Sequence, residues 1–157
     1  MLFRSASDRG TNGHTQFQNA STAGNASFFN QAATVANEFG GNLSFFNSST
    51  AGNATISNAG RAVATGATSG AGSTNFNNTS TAGAATITNF GGTGAGTGGT
   101  GGVTSFHDTS TGGTAIILNK GTSVAGTTGG VLKIQDSSNA GTAQITNEAA
   151  LSRSCWA

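Results

Sequence analysis

The sequence predicts an all-β fold, a single-stranded parallel β-helix (β-solenoid) of about five turns of 28–31 residues with three short strands per turn. Three observations predict it. A block recurs five times in unbroken register, apolar residues alternate with strand period inside each block, and the composition suits a thin stacked core better than a globular one.

The composition comes first because it is the puzzle. The chain has 26 Gly, no Pro and no Tyr, and only 7% charged residues where about 25% is usual. Small polar residues bury little apolar surface against the entropy of ordering, which on its own argues for disorder. Disordered chains carry high net charge and few aromatics, whereas this one has formal charge +1 and ten Phe. Low charge with placed Phe points to an ordered stack.

The blocks begin at Phe17, Phe45, Phe76, Phe106 and Ile134, spaced 28, 31, 30 and 28 residues apart. Two residues on stands Asn19, Asn47, Asn78, Asp108 or Asp136, and four on stands Ser in every copy. Seven on is Gly24, Gly52, Gly83, Gly113 or Gly141, and nine on is always Ala. Eleven on is a large apolar residue, Phe28, Ile56, Ile87, Ile117 or Ile145, and thirteen on is Asn30, Asn58, Asn89, Asn119 or Asn147. Insertions fall only outside this block. Low-complexity sequence without a fold would not hold these positions in step.

Each position has a physical reading. Ala followed two residues later by Phe or Ile is one buried face of a strand, and the run ending at each anchor, such as Leu43 and Phe45, is another strand. The Ser, Thr and Gly between them make a corner, with Gly admitting positive φ. The Asn closing the second strand is expected to close the next corner in a left-handed conformation. A third short strand is expected at Val35, Val63 and Val124, and is lost in the third copy within the glycine tract Gly91–Gly102. Stacking such turns superimposes the anchors and inner Phe or Ile residues in a structural core ladder, and the corner Asn residues in an amide ladder. By this reading residues 1–14 form a leader or partial cap, 15–147 the solenoid and 148–157 an irregular tail.

Motifs with chemical potential are sparse. His107, Asp108 and Ser110 crowd one corner, a poor geometry for a nucleophile–base–orienter relay. The glycine tract has neither the Lys nor the following helix of a phosphate loop, and reads as a flexible excursion. Asp108 and Asp136 occupy equivalent places in adjacent turns, where an acid–base pair is imaginable but a replacement for Asn at a solvated corner is the simpler reading. Hydroxyls flanking Ile56 and Ile87 have the spacing of ice-binding solenoids, but Phe29, Ile116, Leu118 and Gln144 interrupt the array. Phe29, Phe46, Ile116 and Leu118 instead read as a sticky stripe for a partner. The single Cys155 excludes an intrachain disulfide. No catalytic, cofactor-binding or metal residues are expected, and scattered Lys and Arg give no case for nucleic acid. No run has the length of a membrane helix.

The segments Ser49–Asn58 and Ser80–Asn89 resemble repeats of bacterial autotransporter (type V secretion) passenger domains and related adhesin-like surface proteins, over roughly residues 15 to 147. The resemblance implies a right-handed β-helix, export, and an extracellular or cell-surface location, with a host or neighbouring-cell surface molecule or glycan as partner. The chain start has no apolar core of signal-peptide length and the chain has no room for a membrane barrel, so a piece of a larger passenger, or a degenerate derivative of one, is expected. The leading expectation is thus a non-enzymatic, structural, adhesin-like rod. A self-assembling filament subunit, through open ends, is the alternative, and a polysaccharide-active enzyme using Asp108 and Asp136 comes third.

Overall fold

The computed structural model describes residues 12–35, 38–62, 70–94 and 98–151. Among these, every regular element is a four-residue strand, two per block. They are β1 (His14–Phe17) and β2 (Ser27–Asn30), β3 (Asn42–Phe45) and β4 (Thr55–Asn58), β5 (Ser73–Phe76) and β6 (Thr86–Asn89), β7 (Val103–Phe106) and β8 (Ile116–Asn119), and β9 (Val131–Ile134) and β10 (Gln144–Asn147). The first strands of all blocks form one parallel sheet in the order β1-β3-β5-β7-β9, and the second strands form another, β2-β4-β6-β8-β10. This is a β-solenoid. Its five blocks make about four full turns, since a turn is complete only when the chain regains the same sheet.

Register is set by identity. Phe17 pairs with Phe45, Phe45 with Phe76, Phe76 with Phe106 and Phe106 with Ile134. The Phe rings lie flat on one another, with centroids 4.9, 4.8 and 4.7 Å apart and planes within 11°. Each such contact adds about 0.5–1.5 kcal/mol to the burial of the rings. Opposite them Ile56, Ile87 and Ile117 are buried, with Ala54, Ala85 and Ala115 leaving room for the ring edges. A slip of one residue would turn every anchor outward, so the stack selects a single register.

The Asn column is interior rather than at a corner. Asn30, Asn58, Asn89 and Asn119 are buried final residues of their strands, and each side-chain amide donates to the next Oδ1 at 2.7 to 2.8 Å, ending on Asn147. Thr74 and Thr104, buried in the facing sheet, donate to Asn58 and Asn89 at 2.9 Å. The interior therefore has an apolar half and a polar half hydrogen-bonded from coil to coil.

Left-handed backbone is found elsewhere than at these Asn residues. It belongs to the position two after each anchor, Asn19, Asn47, Asn78, Asp108 and Asp136, at φ 55–58°, and to the corner glycines such as Gly52 and Gly83. Asn and Asp tolerate this conformation better than other side chains, which explains their exclusive use there. The Asn thirteen after the anchor is held extended by its strand pairing, so it cannot close a corner.

The third strand is also displaced. Val35 and Val124 both lie in bends, while Val63 is outside the described residues. The third pairing of each turn is a one-residue bridge in the corner between the two strands, linking Thr22, Thr50, Thr81, Thr111 and Asn139. Each of these side chains also accepts the N–H of the glycine two residues on, at 2.9–3.2 Å. The Val35 and Val124 segments instead belong to return loops pinched at their base. Gly41, Gly72, Gly102 and Gly130 donate their N–H to the carbonyls of Gln31, Ala59, Phe90 and Lys120 at 2.7–2.8 Å. The stretches of sequence between these pairs are 32–40, 60–71, 91–101 and 121–129, or 9, 12, 11 and 9 residues. Adding the constant 19 residues from Gly13 to Gln31 returns the periods 28, 31, 30 and 28. All variation in repeat length is thus confined to these stretches.

Candidate functional site

Three places were marked by sequence, and the structure treats them differently. At the acidic corner, the Asp136 Oδ2 accepts the backbone N–H of Asp108 at 3.0 Å, and the Asp108 Oδ2 accepts that of Asn78 at 2.7 Å. Asn47 and Asn78 accept the equivalent N–H groups with their amide oxygens, at 3.1 and 3.0 Å. Any side chain with an oxygen at this position makes the same bond, so the carboxylates do a corner's work. Ser110 is fully buried and donates to the Phe76 carbonyl at 3.2 Å, as Ser138 does to Phe106 at 3.1 Å. His107 Nδ1 lies 3.8 Å from Asp136 Oδ2 on the surface, a contact worth little. The corner brings no nucleophile and base together.

The glycine tract differs from a flexible excursion in its described part. Gly92 donates to Thr128, Gly98 to Gly126 and Thr93 to Arg61, so the loop is laced to the return loops on either side. A Cβ on Gly101 would fall 2.0 Å from the Gly129 carbonyl oxygen. Gly91, Gly92, Gly101 and Gly102 are there because neighbouring backbones touch. Arg61, in the loop beside the tract, is a buried cation that composition alone gave no reason to expect.

The apolar stripe is divided. Phe46 follows the first sheet, whereas Phe29, Ile116 and Leu118 lie on the second. Along the second sheet Phe29 and Leu118 share a column but are separated by Ser57 and Thr88. Phe29 and Ile116 are 59% and 50% exposed, respectively, too solvated to be core. Phe90 restores continuity beside them. It is 37% exposed and, with Phe29, lines an open cleft of about 430 Å³ where the return loops leave the second sheet. Ala59 and the glycine column Gly60, Gly91 and Gly121 line the same cleft. A side chain at Gly60 would meet the Gly91 carbonyl oxygen at 2.1 Å and one at Gly121 that of Ala149, also at 2.1 Å, so this part of the wall is bare backbone by necessity. Lys120, Thr93 and Ser123 supply polar groups to the lining, with Lys120 Nζ 3.5 Å from Glu148 Oε1.

Phe90 carries no repeat signal. The equivalent positions are Gln31, Ala59, Lys120 and Glu148, so nothing in the register marks it. The core ladder (Phe17, Phe45, Phe76, Phe106 and Ile134 facing Phe28, Ile56, Ile87, Ile117 and Ile145) and the Asn ladder run inside the rod and hold the faces in place without touching the cleft. Among the described residues no three His, Cys, Asp or Glu side chains gather as a metal site, and no helix is long and apolar enough to cross a membrane. Cys155 lies outside the described residues. Comparison with protein-family models, with curated proteins and with solved structures finds no match to this chain.

Proposed function

We propose that this chain is a non-enzymatic rod that displays an adhesive face, in the manner of the autotransporter passenger repeats its sequence resembles, and that the cleft beside the second sheet receives a surface glycan. The observation that carries the reading is the cleft itself: two exposed aromatic side chains, Phe29 and Phe90, and bare glycine backbone, with amine and hydroxyl groups in the same lining. Aromatic faces accept the C–H face of a sugar ring, and the few polar groups orient its hydroxyls. Support for the absence of catalysis comes from the acidic corner, where Asp108, Asp136 and Ser110 are committed to bonds between coils. Display at a cell surface rests on the resemblance of Ser49–Asn58 and Ser80–Asn89.

The test is retention of the 157-residue chain on a panel of immobilised polysaccharides, with release of reducing ends measured in parallel. The double change Phe29→Ala, Phe90→Ala is expected to weaken retention at least about tenfold, equivalent to about 1.4 kcal/mol, while the β-sheet circular dichroism stays unchanged. Retention that ignores both changes would remove the cleft from the reading. Sugar release that disappears in Asp108→Asn or Asp136→Asn would replace it with the enzyme reading.

A further inference from the structure

The cleft has a direction. Ala59, Phe90, Lys120 and Glu148 each follow the last residue of a strand in the second sheet. Their N–H groups donate one coil back, to the carbonyls of Asn30, Asn58, Asn89 and Asn119, at 2.8–2.9 Å. The four side chains therefore form one column that steps about 4.8 Å per coil. Phe29 stands beside this column in the first coil, and two coils, or roughly 9.6 Å, separate it from Phe90 along the axis. Ala59 and Gly60 floor the coil between them. Along the rod the lining reads aromatic, small, aromatic, amine.

Its charge is one-sided. Lys120 lies in the lining, and among the described residues the lining holds no Asp or Glu. The ammonium already faces a carboxylate, with Glu148 Oε1 3.5 Å from Nζ just outside the cleft. The two side chains are 37% and 44% exposed, so solvent screens the pair and holds it loosely. An ammonium carries three N–H donors, and one long contact leaves donors for a ligand.

We infer that the ligand of this cleft is an acidic polysaccharide, an extended chain of uronic-acid sugars lying along the rod. The inference rests on the glycan reading above and names its chemical class. One ring lies on Phe29, the next crosses Ala59 and Gly60, and a third lies on Phe90. The separation of the two aromatic side chains is close to the advance of two sugars in an extended chain. A ring carboxylate then reaches Lys120 from the cleft side, the same group that Glu148 offers from the other. A neutral chain fills the aromatic positions and leaves the ammonium without a ligand partner. Glu148 repels the incoming carboxylate, so it tempers the affinity.

Retention of the full chain on immobilised polygalacturonate and on its methyl ester, the same rings without the charge, tests this. The acid form should hold the chain at least about tenfold more tightly, by a margin that shrinks as salt is added. Lys120→Gln should abolish that margin and leave retention on the ester unchanged, while Glu148→Gln should widen it. β-Sheet circular dichroism should match the wild type in both variants, since an exposed ion pair contributes little to stability. Equal retention on acid and ester, or a margin that survives Lys120→Gln, would overturn the inference. Tighter retention on dextran sulfate than on polygalacturonate would also overturn it, by assigning the charge to a sulfate ester. Retention on the ester that is lost in Phe29→Ala, Phe90→Ala would leave the glycan reading standing in each case, so the two fail separately.

Discussion

Changing Gly102 to Ala is expected to destabilise the chain by more than about 4 kcal/mol, lowering the thermal midpoint by about 10 °C or more. Gly102 has no positive φ, so the reason is not conformational freedom but contact. A Cβ there would lie 2.1 Å from the Asn58 carbonyl oxygen and 2.9 Å from the Asn58 Cβ. The obstacle is backbone on one side and a buried ladder residue on the other, so no rotamer change relieves it. The coils must part, breaking the bond from Gly102 to the Phe90 carbonyl, 2.8 Å long, that pinches the return loop. Gly13 occupies the same place in the first block, but a Cβ there meets nothing within 4 Å. Gly13→Ala is therefore expected to leave the midpoint nearly unchanged. Thermal unfolding of the two variants side by side checks the pair. Equal effects would mean that coil contact is not what selects glycine here.

Asn89→Leu should cost about 3–5 kcal/mol although Leu matches its volume closely. Asn89 accepts from Asn58 at 2.8 Å and from Thr104 at 2.9 Å, and donates to Asn119 at 2.8 Å and to the Val131 carbonyl at 3.2 Å. Leu removes all four bonds and leaves Thr104 and Asn119, both buried, without those partners, each unsatisfied group costing roughly 1–3 kcal/mol. The added apolar burial offsets only part of this. Asn147→Leu deletes one bond at an exposed ladder end and is expected to cost less than about 1 kcal/mol. Urea unfolding of both variants measures the contrast. A tolerant Asn89 would show that the ladder is a consequence of stacking and not a contributor to it.

The solenoid was legible in sequence because stacking makes a residue its own neighbour. Phe above Phe and Gly above Gly are packed by the same environment in every coil, so identity at fixed spacing records contact directly. The corner Gly52 and Gly83 were legible for the same reason, together with their positive φ. A further column stands in plain register, Gly13, Gly41, Gly72, Gly102 and Gly130, four before each anchor, and its meaning emerges only when the Asn58 carbonyl is seen against Gly102. Thr74 and Thr104 are hidden because the same position holds Leu43 and Leu132, apolar and polar solutions mixed along one column. The return loops are illegible in a deeper sense. Their pairing uses backbone groups that any residue carries, so Val35 and Val124 mimic a strand period without forming one. The cleft inherits part of that opacity, since Phe90 has no aromatic counterpart in other coils, although Gly60, Gly91 and Gly121 beside it repeat in register.

In-register stacking of successive coils is measured most directly by cross-linking. In a Cys155→Ser background, Thr55→Cys with Thr86→Cys places thiols on exposed, directly paired residues of neighbouring strands, about 4.8 Å apart and within the roughly 4.4–6.8 Å that a disulfide spans. Thr55→Cys with Ile116→Cys places them two coils apart, about 9.6 Å, beyond that reach. Mild oxidation of dilute monomer should close an intramolecular disulfide in the first pair and not in the second. Equal yields in both pairs, or closure only in the second, would mean that equivalent residues do not lie over one another.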